Sequence, residues 1–116
     1  RCIVPATAYF EWRKDGQLKI KTRIFQQDKK IISFAGLFVG EKFTIITGQP
    51  APSIAHIHSR MPVILDHADE ATWLSPDNQF DKVANLLKTK HNSGMQSKEV
   101  QKPIKRSNRQ RDLFNQ

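Results

Sequence analysis

A chain of 116 residues with 19 Lys and Arg against 11 Asp and Glu carries a formal charge of +8, which favours polyanionic partners because each phosphate neutralised releases condensed counterions. An apolar fraction of 38%, concentrated before Leu87, fits one domain with one core, and a single cysteine excludes an internal disulfide and any multi-cysteine zinc site. No apolar run approaches the roughly 18 residues of a membrane span and no signal peptide is visible, so a cytoplasmic protein with no membrane partner is expected.

Strand signals dominate the first half. Residues 2–4 and 8–13 read as short strands, and Asp15-Gly16, tolerant of positive φ, predicts a hairpin joining 10–14 to 18–25. Residues 31–38 and 42–47 form a second antiparallel pair turning at Gly40. Pro50 and Pro52 cannot donate to a ladder, which makes 49–53 a loop. A short helical turn over 53–58 then leads into one buried strand over 61–65. An acidic first turn at Asp69-Glu70 opens a short helix to Leu74, and a longer helix spans 77–88 with Phe80, Val83, Ala84 and Leu87 on one face. Residues 95–104 add one edge strand. The expected architecture is α+β, mainly antiparallel sheet with short helices, over residues 1–104, followed by a disordered basic tail over 105–116.

Two motifs place an ionisable residue within an apolar run, where a charge is expensive unless it is used. Glu11 sits in Tyr9-Phe10-Glu11-Trp12 and His58 precedes Ser59-Arg60-Met61-Pro62-Val63-Ile64-Leu65. A carboxylate in such surroundings is poised for proton exchange near neutral pH, and an imidazole is a suitable partner acid or base. The alternatives are a structural carboxylate paired with Arg13, Arg23 or Arg60, and a histidine that merely flanks a core strand. His56, His58 and His67 invite a zinc reading, but nothing marks a third ligand beside the two that alternate along the chain, and no metal or cofactor is expected.

Taken together, Arg1-Cys2-Ile3-Val4-Pro5-Ala6 followed by Phe10-Glu11-Trp12, then Phe34-Ala35-Gly36-Leu37-Phe38, Phe43-Thr44-Ile45-Ile46-Thr47 and the His58 motif resemble the SOS response-associated peptidase (SRAP) family across about residues 1 to 75. The resemblance implies the C-terminal portion of a barrel-like SRAP fold. It also implies a nucleoid-associated protein that senses abasic sites in single-stranded DNA. In that family a cysteine at the mature N-terminus joins its thiol and α-amine to the abasic-site aldehyde as a thiazolidine. The family is also credited with autoproteolytic removal of the residue ahead of that cysteine, so peptidase and lyase-like activity are implied for the complete protein. The family's active-site glutamate falls on Glu11 and its histidine on His58, with Thr47 as a second-rank pocket residue. Trp12, Arg60, Met61 and Pro62 become DNA-contact candidates, Arg60 because a guanidinium pairs with phosphate and Trp12 because an indole offers a stacking face. Core packing is the alternative for Trp12. The family's N-terminal half has no counterpart in these residues, and Cys2, inside its strand motif, reads as a small buried side chain rather than the nucleophile. Thr7-Ala8 stands where the family usually has Asp-Gly, and the turn at Val39-Gly40-Glu41 is shorter than usual. The competing readings are a non-covalent single-strand-binding remnant and a peptidase with incidental DNA affinity.

The tail is basic through Lys105, Arg106, Arg109 and Arg111, and its end, Gln110-Arg111-Asp112-Leu113-Phe114, resembles the peptide by which bacterial proteins dock on the replication sliding clamp. Leu113 and Phe114 would fill an apolar pocket while Gln110 and Asp112 set register. Leu113→Ala with Phe114→Ala should abolish clamp capture in a pull-down; undiminished capture, or none by the parent, contradicts the docking role.

Overall fold

The computed structural model describes residues 1–88, 94–100 and 102–105. Its strands are β1 (Cys2–Ala6), β2 (Tyr9–Asp15), β3 (Leu18–Gln26), β4 (Ile32–Val39), β5 (Lys42–Ile45), β6 (Thr47–Gly48), β7 (Met61–Pro62), β8 (Ile64–Leu65), β9 (Met95–Glu99) and β10 (Ile104–Lys105). Two short helices, α1 (Glu70–Leu74) and α2 (Phe80–Val83), complete the α+β architecture. All the strand pairings described are antiparallel, and among the described residues the sheets stay open rather than closing into a barrel.

In the first sheet β4 is central, with β1 on one edge and β5 and β8 on the other. Residues 32–36 are buried, as a strand covered on both faces must be. Gly36 is required there by space: a Cβ would meet Cys2 Sγ at 2.9 Å and the Thr44 carbonyl at 3.0 Å. The second sheet is the β2–β3 hairpin, turned at Gly16 with φ of 57°, with β9 and β10 both on the far edge of β3. A two-stranded ribbon, β6 with β7, joins the layers.

Two apolar clusters result. Ile24, Ala51, Ile54, Ile57, Met61 and Met95 fill the space beneath the second sheet, with Tyr9 packed against them. Ala35, Val63, Leu65, Trp73 and Val83 lie between the first sheet and the helices. Trp73 is fully buried, and its indole N–H donates to the Cys2 carbonyl at 2.8 Å. The Arg1 guanidinium donates to the carbonyls of Trp73, Ser75 and Asn78 and lies over the Trp73 ring. It thereby satisfies carbonyls that the end of α1 leaves without an intrahelical partner. At the other end of α1, the buried Ser33 hydroxyl donates to Glu70 at 2.6 Å. That bond, followed by the one from His67, holds the Glu70 carboxyl below its usual range.

Four expectations are corrected. The single strand over 61–65 is β7 and β8, which pair with different sheets: Val63 donates to the Ile46 carbonyl (2.8 Å) and accepts from Ala35 (2.9 Å) between them. The helix over 77–88 is α2 plus a 3₁₀ turn at Ala84–Leu87, because Asn78 is committed to bonds with Thr72 and Arg1 and the chain turns helical only after Gln79. Phe80, expected on the buried face, is exposed. The edge strand over 95–104 is two strands, β9 and β10, the second pairing with β3 through Ile104 and Lys105. The clamp-docking residues Gln110, Asp112, Leu113 and Phe114 lie outside the described residues.

Gly36→Ala should cost about 1–3 kcal/mol of stability by overpacking against the Thr44 backbone, read as a lowered urea midpoint with unchanged m-value. An unchanged midpoint would contradict the close approach of β1, β4 and β5.

Candidate active site

Glu11 lies on β2, on the face that also carries Tyr9 and Arg13. His58 reaches it from the opposite layer. Residues 51–58 coil into a turn closed by bonds from the Ile54 and Ala55 amides to the Ala51 carbonyl and from Ile57 to Ile54, at 2.8–3.0 Å. Ala51, Ile54 and Ile57 are buried in the first cluster, so the turn is anchored by its apolar side and His58, at its end, is carried up to β2. Its Nε2 stands 3.8 Å from Glu11 Oε2, with the side chains 43% and 30% exposed. The two groups face each other without a direct hydrogen bond at this distance, and the burial expected of Glu11 is only partial.

The His58 ring is held from behind. Its Nδ1 lies 3.1 Å from the Arg60 amide nitrogen and 3.2 Å from the Arg60 carbonyl. A neutral ring protonated on Nε2 accepts the amide N–H, and a ring carrying a proton on Nδ1 donates to the carbonyl. The imidazole can therefore change protonation state without turning, with Nε2 always toward Glu11. Arg60 is itself fixed: its Nη2 donates to the Thr47 carbonyl at 2.6 Å and its Nε to Thr47 Oγ1 at 3.3 Å. These bonds employ two of five guanidinium donors and set the plane of the cation. Thr47 is in place because β6 pairs with β7, opposite Pro62.

Glu11, His58, Thr47 and Arg60 are thus brought together, with Pro62 across the ribbon. Trp12 and Met61 are not. Trp12 follows Glu11 in the chain but points to the opposite face of the sheet, where it is exposed and covered by the Lys19 ammonium at 5.0 Å. Among the described residues it belongs to neither apolar cluster. Met61 is 1% exposed within the first cluster, so its side chain supports the segment and offers no surface to DNA. Cys2 is half-buried beside Gly36. The histidines diverge: His56 lines a cleft with Arg13 and Glu99, and His67 Nδ1 lies 2.7 Å from Glu70. Among the described residues no three His, Cys, Asp or Glu side chains come together as metal ligands would.

Tyr9 is the residue that sequence reasoning passed over. It shares the face of Glu11 two positions away, its ring meets Phe34 edge-on, and its hydroxyl is buried without a hydrogen-bond partner among the described residues. Burial first, and the negative charge of Glu11 second, push its titration above the ordinary value of 10.0. It is a buried phenol on the strand face that carries Glu11, and strand parity alone would have placed it there.

The profile of the SOS response associated peptidase (SRAP) family matches residues 1–107. The chain belongs to the SRAP family. Similar proteins include the abasic site processing protein YoaM of Bacillus subtilis, 40% identical over 75% of this chain and 43% of that protein. The abasic site processing protein YoqW of the same organism is 36% identical over 86% of this chain and 50% of its own. The abasic site processing protein HMCES of Xenopus tropicalis is 31% identical over 64% and 30%. The chain spans about half the length of the Bacillus relatives. A crystal structure of a protein from Bacteroides thetaiotaomicron superposes with a TM-score of 0.76 at 33% identity, covering 85% of this chain and 48% of that one. One from Bordetella bronchiseptica, at 22% identity and a TM-score of 0.73 over 86% and 54%, shares the fold.

In this SRAP chain, Tyr9→Phe deletes a buried hydroxyl that has no described partner, so at pH 7 the variant should be as stable as the parent or more stable, by up to about 1–3 kcal/mol. The fold favours the protonated phenol; that contribution is complete below 10.0 and is lost as pH rises above it. Urea melts should show the parent weakening relative to Tyr9→Phe only above that value, and a large loss in the variant at neutral pH would contradict the unpartnered hydroxyl.

Proposed function

We propose that this chain supplies the acid–base half of an SRAP site that recognises abasic sites in single-stranded DNA and takes part in their covalent capture. The observation that carries the reading is the convergence of Glu11 and His58, from motifs 47 positions apart in the sequence, at 3.8 Å on an open surface beside the fixed Arg60 guanidinium. The names of YoaM, YoqW and HMCES as abasic site processing proteins support the abasic site as the target.

The chemistry asks for proton transfers in both directions, which suits a carboxylate and an imidazole that keep their geometry in either state. An abasic sugar rests as a cyclic hemiacetal, and opening it moves a proton from the C1′ hydroxyl to the ring oxygen and frees the aldehyde. Glu11 takes and returns that proton, while His58 serves the opened sugar oxygen. An incoming 1,2-aminothiol adds through its amine; the carbonyl oxygen leaves as water, and the thiol closes the thiazolidine. Loss of water is where a proton donor matters most. Arg60 holds the flanking phosphate. The aminothiol is an N-terminal cysteine of the family's other half, and the same residues serve the peptidase step that exposes it.

The test joins this chain behind the preceding half of YoaM, with cysteine leading the polypeptide, and follows a denaturant-resistant adduct on a single strand containing one abasic site. Glu11→Gln and His58→Ala should each slow adduct formation by roughly 10²–10⁴-fold, the usual span for a general acid or base. Undiminished rates in both variants, or equal reaction with intact DNA, would contradict the proposal. Adduct loss with retained non-covalent binding in Glu11→Gln separates an enzyme from a binding remnant.

A further inference from the structure

The second sheet has two faces of opposite character. Register puts Glu11 with Thr22, Asp15 with Leu18 and Glu99 with Thr22 on the inner face, so every acidic residue of β2, β3 and β9 lies there. Arg13 is inside with them, paired to Glu99 at 3.0 Å and Asp15 at 4.0 Å. The remaining basic residues of these strands fall outside: Lys14 opposite Lys19, Trp12 opposite Lys21, Phe10 opposite Arg23, and Arg23 opposite Lys98. Like charges set directly across a ladder are destabilising, and no carboxylate of these strands lies on that face to relieve them.

Aromatic rings are interleaved with the cations. Lys19 lies over Trp12, Lys21 over Phe10 at 5.1 Å and Arg23 over Phe25 at 4.7 Å. Phe10 is 52% and Trp12 38% exposed. At one end the face runs into an open cleft of about 520 Å³ that Arg23 and Phe25 share with Asp28, Lys29 and Lys30, Lys29 being paired to Asp66 at 3.8 Å. The face is therefore a cationic platform with flat apolar rings.

We infer that the outer face of the β2–β3–β9 sheet is a binding platform for intact single-stranded DNA, separate from the Glu11–His58 site. A polyanion answers the uncompensated charge. The rings narrow the choice, since unpaired bases offer a stacking face that a duplex conceals and an acidic polypeptide lacks. Among the described residues β2 is an edge strand, so a strand of DNA lying on the outer face can pass over that edge to present one sugar to Glu11. The inference rests on the single-strand reading above, but its residues and its test are different.

The test is fluorescence anisotropy of the 116-residue chain with a labelled oligothymidylate, which contains no abasic site, across a salt series. Lys19→Gln/Lys21→Gln/Arg23→Gln should bind at least about tenfold more weakly, with a log–log salt slope smaller by about 2. Lys98→Gln alone, a change on an exposed strand that leaves the hairpin intact, should move both quantities in the same direction by less. Trp12 fluorescence should be quenched on binding, Trp73 being buried. Parental affinity and slope in both variants, no binding by the parent, or stronger competition by duplex than by single strand would overturn the inference. Weakened binding in the triple variant by a parent that does not discriminate abasic from intact strands supports the platform while removing the abasic-site reading.

Discussion

Three backbone hydrogen bonds closing on one another hold this molecule's layers together. Ala35 donates to Val63, Val63 donates to Ile46 and Ile46 donates to Ala35, at 2.8–2.9 Å. Ala35 can do this because it faces Ile3 across the ladder with its own N–H and C=O turned to the other edge of β4. The junction is fully buried at Ala35 and nearly so at Val63, so each of its polar groups needs the partner it has. Immediately beyond it on one side is Thr47, and on the other Pro62, followed by Met61 and Arg60. The position of the Arg60 guanidinium on Thr47, and through Arg60 that of His58, follows from this triangle.

Much of this was legible in the residues. Asp15-Gly16 and Gly40 announced both hairpins by their conformational demands, and Glu11 and His58 stood out because apolar runs rarely carry an ionisable group. The change of partner at Val63 was not legible. Met61 to Leu65 reads as one apolar strand, and nothing local shows that its first half pairs with Thr47-Gly48 and its second with Ser33-Phe34. Phe80 misled for a related reason: helical periodicity assumes a continuous helix, whereas Asn78 is held by tertiary bonds that delay its start. Met61 follows Arg60 directly, yet its side chain is buried in the first cluster while Arg60 is exposed on Thr47. Strand parity, applied to β2, would have placed Tyr9 beside Glu11 and Trp12 behind it.

That alternation gives the second sheet a division of labour. The inner side gathers carboxylates, a buried phenol and an imidazole over an apolar cluster, which suits proton transfer at one small group. The outer side gathers lysines, an arginine and aromatic rings, which suits a long, flexible polyanion. Membership in the SRAP family, with its abasic site processing relatives, makes DNA a coherent occupant for both. One face would hold the strand and the other would act on a single sugar within it.

The central claim is that the convergence of Glu11, His58, Thr47 and Arg60 is a site for the abasic sugar. It is tested most directly by amide chemical-shift mapping of the chain with two otherwise identical single strands, one intact and one with a single abasic site. The account predicts shifts at Glu11, Thr47, His58 and Arg60 that require the abasic site, above a background common to both strands. Identical maps for the two strands would contradict it.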